Sequence, residues 1–122
     1  MVRLWFKSKG PERAVLITDS LPAAGMPNGI YKVGGTTVHV KDGRCTTDAG
    51  VLAGSALTLD TALRKLQEFT GADLATAVRL ASRNPARMLG LARDLILGAA
   101  ANFNVYDACG RRQQTILRGK VL

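Results

Sequence analysis

The amino-acid sequence predicts an α/β protein, from three patterns that follow one another along its 122 residues. Four apolar residues, Ala14–Ile17, run without polar alternation, which is typical of a strand buried on both faces in a parallel sheet. Residues 30–47 contain short strand-like runs separated by turn pairs, which predicts a β meander. Residues 59–90 carry apolar side chains at helical spacing. A chain of this length can bury a modest core from such elements.

The charge balance is basic, with 17 Lys and Arg against 9 Asp and Glu and a formal net charge of +8. A small basic nucleic-acid-binding module is therefore one hypothesis. The basic residues are scattered, however, with Arg64-Lys65 and Arg111-Arg112 as the only adjacent pairs, and no regular alternation of aromatic and basic residues provides stacking platforms. A solvated basic surface, which would also suit an anionic sugar phosphate, is the favoured interpretation, and nucleic acid is not the expected partner.

The sequence also predicts a soluble, cytoplasmic chain without a membrane segment. No apolar run approaches the roughly 20 residues of a membrane span, and the apolar core within residues 1–7 is too short for a signal peptide. Cys45 and Cys109 lie far apart and have no metal-ligand spacing. Both are expected to be ordinary reduced cysteines.

The first element is predicted to be the last turns of a helix, ending at Gly10-Pro11. The buried strand Ala14–Ile17 follows and stops at Thr18-Asp19. A carboxylate at the carboxyl end of a buried parallel strand lies where α/β proteins place their chemistry, so Asp19 is a candidate catalytic residue. The alternative is that Asp19 caps the turn through its own backbone.

The β meander is predicted from three runs, Ile30–Val33, Thr36–Lys41 and Arg44–Thr47, after a loop over residues 20–29. His39, the only histidine, is predicted to lie on the sheet surface, because a metal role would need partners that the chain lacks. Gly54 follows in a segment that returns the chain toward Asp19. It would allow the backbone to approach a ligand closely, or it would only serve a turn.

Three helices are predicted next, each with a cap. Their predicted ranges and caps are Leu59–Thr70 with Thr58, Leu74–Arg83 with Asp73, and a short helix capped by Asn84 that ends near Gly90. Leu59, Ala62, Leu63, Leu66 and Phe69 form the apolar stripe of the first helix, and Leu74, Ala77, Val78 and Ala81 that of the second. Strands are predicted over Asn102–Tyr106, Gln114–Leu117 and Lys120–Leu122, with a turn at Asp107–Gly110.

Several segments of the sequence resemble one enzyme family. They are Leu16-Ile-Thr-Asp19 followed by Ala23-Ala-Gly25, then Leu52-Ala-Gly-Ser-Ala-Leu-Thr58, Ala81-Ser-Arg-Asn-Pro-Ala86 and Leu89-Gly-Leu91. Their order and spacing are similar to those of N-acetylglucosamine-6-phosphate deacetylases of the amidohydrolase superfamily. The resemblance covers nearly the whole chain but corresponds only to the carboxyl-terminal third of such an enzyme. After Leu91 the sequence departs from the superfamily pattern, with a shortened link and with Asn102 where Asp is common.

For the fold, the resemblance implies a carboxyl-terminal fragment of a (β/α)8 metal-dependent hydrolase barrel. Residues 1–91 would supply the last barrel strand, the β-meander insertion and the helices. Residues 92–122 would supply the terminal strands of a small β-sandwich domain.

For function, the resemblance implies hydrolysis of the acetamide of an amino-sugar phosphate, with Asp19 as general acid and base on a metal-bound water. Leu52, Ala53 and Gly54 would line the substrate site. A divalent metal of the zinc or iron class is implied in the complete enzyme, with no ligand expected on this chain, so the isolated chain is expected to be inactive. Its expected partner is the missing barrel portion or a second copy. The alternative is a non-catalytic, self-associating remnant.

Overall fold

Two antiparallel sheets and a group of helices make up the chain in the computed structural model, which describes residues 1–91, 95–107 and 110–122. The expectation for Cys109 and the middle of the predicted Asp107–Gly110 turn lie outside the described residues. The boundary predicted between residues 91 and 92 also adjoins undescribed residues and stays a prediction. The elements are α1 Val2–Lys9, β1 Gly29–Val33, β2 Thr36–Lys41, β3 Arg44–Thr47, β4 Leu52–Ser55, α2 Leu59–Thr70, α3 Leu74–Val78, α4 Asn84–Met88, β5 Phe103–Tyr106, β6 Arg112–Leu117 and β7 Lys120–Val121.

The predicted three-stranded β meander is present as β1, β2 and β3, and a fourth strand that was not predicted, β4, pairs with β3 in sequential order. Asp42 and Gly43 both have positive φ, 50° and 77°, as a tight two-residue hairpin turn requires. The inner face buries Val38, Val40 and Cys45. His39 lies on the opposite face, where its Nε2 is 2.6 Å from Asp48 Oδ1, so its predicted place on the sheet surface is confirmed.

The segment Ala14–Ile17 lacks the burial on both faces that its apolar run predicts. It is extended, but no strand of the described chain pairs with it. Only Ala14 is fully buried, while Ile17 is 68% exposed. Its one link to a helix backbone runs from the Leu16 N–H to the Leu80 carbonyl, at 2.9 Å. A doubly buried strand needs pairing partners from elsewhere, and the described residues do not supply them.

The helix α2 forms as predicted and ends at Gly71, which has the left-handed conformation. Thr58 holds the position before the helix, but its hydroxyl bonds the Thr61 hydroxyl and makes no cap bond to the backbone. Asp73 caps α3 as predicted, accepting the Thr76 N–H at 2.8 Å. No helix within the described ranges is both long enough and apolar enough to cross a membrane.

The predicted break before Asn84 is wrong, because the helical path continues through a π-helical turn, Arg79–Arg83, into α4. Asn84 has helical φ and ψ of −65° and −48° and is only 5% exposed, so it does not cap a new helix. Pro85 has no N–H to donate into a regular helical turn, and a π-helical turn just before it relieves that mismatch.

The main apolar core joins the helices to the start of the extended segment. It consists of Ala14, Leu63, Leu66, Ala77 and Leu80, with Trp5, Phe6, Leu16 and Ala81 packed against it. Leu63 and Leu66 of the first predicted stripe, and Ala77 and Ala81 of the second, therefore lie in or against this core. Leu80, which the predicted stripe omitted, is fully buried in it. Leu59 and Phe69 lie at the margins of the α2 stripe, each 41% exposed.

The terminal strands form a separate three-stranded antiparallel sheet in the order β5, β6, β7. Asn102 closes the turn between β6 and β7, since its Oδ1 accepts the Arg118 N–H at 2.7 Å. Much of the sheet's apolar surface is uncovered, with Val121 62% exposed.

Candidate functional site

Asp19 lies at the end of the extended segment, where β4 returns alongside the chain. Its carbonyl accepts the Ser55 N–H at 3.0 Å, and the Leu21 N–H donates to the Ser55 carbonyl at 2.8 Å. Ser20 and Ser55 thereby form a parallel bridge. The backbone of Asp19 is thus fixed by the last residue of β4, as a residue in a parallel pair would be.

Gly54 makes this close approach possible. Its φ is +130°, and a Cβ built on it would lie 3.0 Å from Leu21 Cγ and 3.3 Å from the Asp19 carbonyl oxygen. A side chain at position 54 would therefore push against the segment that presents Asp19. The sequence left open a close approach to a ligand or only a turn. In the structure, Gly54 accommodates a close approach by the Asp19 backbone of this same chain, and an approach to a ligand stays a prediction.

The carboxylate of Asp19 is exposed and makes no hydrogen bond or ion pair with any residue in the described parts of the chain. The turn-capping alternative needs a nearby backbone N–H that donates to that carboxylate, and no such bond occurs among the described residues. The φ of +50° is one that aspartate tolerates better than most residues. The backbone of Asp19 is therefore anchored, while its carboxylate is exposed to solvent.

The three residues predicted to line the substrate differ in their surroundings. Leu52 is 67% exposed at the start of β4. Ala53 is the extra residue of a β-bulge, because Cys45 pairs with Gly54 while Thr46 pairs with Leu52. Gly54 adjoins the carbonyl of Asp19. The structure brings Gly54 and Asp19 together; the substrate-lining role of all three remains a prediction.

Two serines beside Asp19 were missed by the sequence reasoning. The Ser20 hydroxyl donates to the Leu57 carbonyl at 2.5 Å, and Ser55 Oγ accepts the Leu57 N–H at 2.7 Å. Together they fix the linker between β4 and α2 against the Asp19 segment. The only sequence signal was their place next to Asp19 and Gly54.

Within the described residues, metal-ligating side chains do not gather around Asp19. No group of three or more His, Cys, Asp or Glu that could hold a metal occurs in residues 1–91, 95–107 or 110–122. His39 pairs with Asp48 on the meander, and a single carboxylate does not complete the three or more protein ligands of a zinc-type site. These residues alone do not fit a divalent metal.

Comparison with known proteins gives a consistent set of relatives, although no protein-family model matches the chain. The N-acetylgalactosamine-6-phosphate deacetylase of Escherichia coli O157:H7 is 49% identical over 88 residues, which are 72% of this chain and 23% of that protein. The N-acetylglucosamine-6-phosphate deacetylase of Thermotoga maritima has a crystal structure that is 34% identical, with a TM-score of 0.91. It is matched over 99% of this chain and 34% of its own.

A structure with a bound ligand is also similar. It is a mutant of the N-acetyl-D-glucosamine-6-phosphate deacetylase of Mycobacterium smegmatis in complex with N-acetyl-D-glucosamine-6-phosphate, 34% identical with a TM-score of 0.88. It covers 98% of this chain and 33% of that one. The matched part of the chain spans 23% to 34% of the length of these three proteins. The resemblance, limited to the carboxyl-terminal portion, and the α/β fold class are both confirmed.

Proposed function

We propose that this chain, a homologue of the carboxyl-terminal portion of N-acetylglucosamine-6-phosphate deacetylases, supplies the proton-transferring carboxylate of such an enzyme. The reaction is hydrolysis of the acetamide of an N-acetylated amino-sugar 6-phosphate. The observation that carries the proposal is the exposed, unbonded carboxylate of Asp19 on a backbone fixed by Ser55. Homologous enzymes named for this reaction support it.

Amide hydrolysis requires a base at its start and an acid at its end. In this proposal the Asp19 carboxylate accepts a proton from water as the water oxygen bonds to the acetyl carbon. It then gives the proton to the amide nitrogen as the C–N bond breaks, which releases acetate and the free amine. A divalent metal of the zinc or iron class would activate the water in the complete enzyme. No complete ligand set occurs among the described residues, and we assign the ligands to the portion of the relatives that this chain does not span.

The proposed setting is a (β/α)8 barrel in the cytoplasm, to which this chain contributes the last strand and the helices after it. Leu52, Ala53 and Gly54 would line the sugar near Asp19. The relatives are named for two epimeric substrates, the galactosamine and the glucosamine derivatives. We propose the shared class, an N-acetylhexosamine 6-phosphate, so both epimers are needed as assay substrates.

A chimera tests the proposal. This chain would replace the matching carboxyl-terminal third of the Thermotoga maritima enzyme, with acetate release measured from both epimers. Asp19→Asn, which can neither accept nor return the proton, is expected to lower kcat by about 10²- to 10⁴-fold with little change in KM. Asp48→Asn is the matched control, because it makes the same substitution on the meander surface. Turnover of Asp19→Asn within a few-fold of the parent chimera would refute the catalytic role, and the isolated chain is expected to release no acetate.

A non-catalytic, self-associating role is the second candidate, and an apolar groove favours it. The groove lies between α1, the extended segment and α2, with a volume of about 580 Å³. Its lining includes Met1, Trp5, Val15, Ile17, Leu66 and Phe69. Such a surface is suited to burial against another protein surface.

A further inference from the structure

We propose that Asn84 is a positioning residue, whose buried carboxamide holds the segment that presents Asp19. This inference rests on the proposed function, because it assigns Asn84 to the geometry of that same site. Asn84 does not touch the reacting atoms in our proposal and acts through the backbone of the extended segment.

The carboxamide of Asn84 connects two distant parts of the chain. Its Nδ2 donates to the carbonyls of Pro11 and Ala14, at 2.8 Å and 2.6 Å. Asn84 is 5% exposed and Ala14 is 1% exposed, so the bond to Ala14 satisfies a carbonyl that water hardly reaches. The sequence separations are 73 and 70 residues. Two donors on one side chain therefore fix the upstream end of the extended segment.

The π-helical turn provides a further attachment. The Asn84 N–H bonds the Arg79 carbonyl, five residues earlier, instead of the Leu80 carbonyl four residues earlier. The Leu80 carbonyl is thereby available to accept the Leu16 N–H at 2.9 Å. The departure from regular helix thus frees an acceptor that a regular α-helix would use internally.

Charged groups on the surface reinforce the same attachment. Glu12, between Pro11 and Ala14, pairs with Arg79, and its other carboxylate oxygen is 3.7 Å from Arg87 Nη1. The chain around the extended segment is consequently held on both sides. The helices hold residues 11–16, and β4 holds residues 19–21. Between these ends, the strand-like residues have no sheet partner in the described chain. The position of Asp19 therefore depends on both attachments.

The surroundings of the side chain explain why an amide is required. Two carbonyl oxygens face Asn84, and its own Oδ1 has no hydrogen-bond partner among the described residues although it is buried. Asn84→Asp keeps the size of the side chain but replaces both N–H donors by a carboxylate oxygen facing carbonyl oxygens. Asn84→Ala removes the donors and leaves space for a water molecule. It is the second test variant, used if Asn84→Asp fails to fold.

Amide hydrogen exchange in the chain itself tests the attachment. Asn84→Asp should speed exchange of the Leu16 amide, and of the Ser55 amide that donates to Asp19, by about tenfold or more relative to the amides of β1 and β2. Asn104→Asp is the matched control. Asn104 accepts a bond from the Thr115 hydroxyl at 2.8 Å, and a carboxylate can keep that bond. Unchanged exchange at Leu16 and Ser55 in the Asn84 variants would overturn the inference.

The chimera then tests the effect on the reaction. Asn84→Asp is expected to lower kcat by about tenfold with KM within about twofold, because a misplaced carboxylate slows the chemistry more than it weakens substrate binding. An unchanged kcat would overturn the positioning role even if exchange rises. An inactive parent chimera would refute the proposed function instead. The exchange rate of the Ser55 amide, measured in the chain itself, would then decide whether Asn84 holds the backbone of Asp19.

Discussion

Gly54→Ala is expected to destabilise the chain strongly, because the added methyl has no space and the backbone conformation is unfavourable. The φ of +130° is one that residues with a Cβ rarely adopt, which costs about 1–3 kcal/mol. The methyl would also lie 3.0 Å from Leu21 Cγ, a branch point that cannot swing away as a flexible chain end could. Overpacking of this kind costs about 1–3 kcal/mol. The free energy of unfolding should therefore fall by about 2–6 kcal/mol, a large part of the roughly 5–15 kcal/mol of a typical domain.

Urea unfolding followed by circular dichroism measures this loss, at a protein concentration where sedimentation shows one species. Gly50→Ala is the matched control. Gly50 also has positive φ, +75°, but nothing lies within 4 Å of the position that a methyl group would take there, so only the left-handed penalty of about 1–2 kcal/mol applies. The difference between the two variants reports the contact with the Asp19 segment together with any greater backbone strain at φ +130°. If Gly54→Ala cost no more than Gly50→Ala, the close approach at Gly54 would not constrain the site.

Two further expectations concern pH and assembly. Hydrogen bonds from the Thr76 hydroxyl and N–H hold the pKa of Asp73 below its usual range. Its stabilising contribution is therefore present above the ordinary carboxyl pKa and is lost as pH falls through the lowered value; Asp73→Asn should reduce this acid dependence in urea midpoints measured from about pH 5 to pH 2. The apolar groove beside Ile17 should make the isolated chain associate at micromolar concentration despite its net charge of +8, since salt at about 0.1 M screens charges beyond about 10 Å. Sedimentation at several concentrations measures this, and a monomer throughout would contradict it.

Elements specified by neighbouring residues could be predicted from the sequence. Asp42-Gly43 adopts the positive φ values that its residue types favour, and the hairpin around it forms in the expected register. Asp73 and Gly71 likewise act within one turn of the helices that they border. In each case the residues that determine the local structure lie within a few positions of one another, so a short stretch of sequence is enough to predict it.

Features that depend on distant partners could not be predicted in the same way. Asn84 before Pro85 has the local pattern of a helix start, but the acceptors that determine its role are carbonyls 73 and 70 residues away. The extended segment Ala14–Ile17 has the composition of a buried strand, yet its pairing depends on residues that no local pattern specifies. For Asp19, spacing alone left a catalytic and a turn-capping role open. The absence of any bond from its carboxylate within the described residues disfavours the second.

The sequential order of the β meander has a consequence for the kinetics of folding. Each of its strands pairs with the next along the chain, so its loops are short and cost little entropy to close. The bonds that fix Asp19 close much longer loops, such as the 70 residues between Ala14 and Asn84. We therefore expect the meander to form early and the Asp19 segment to lock into place late, because non-local contacts generally form more slowly. A partly folded chain would then retain the meander while lacking an ordered Asp19.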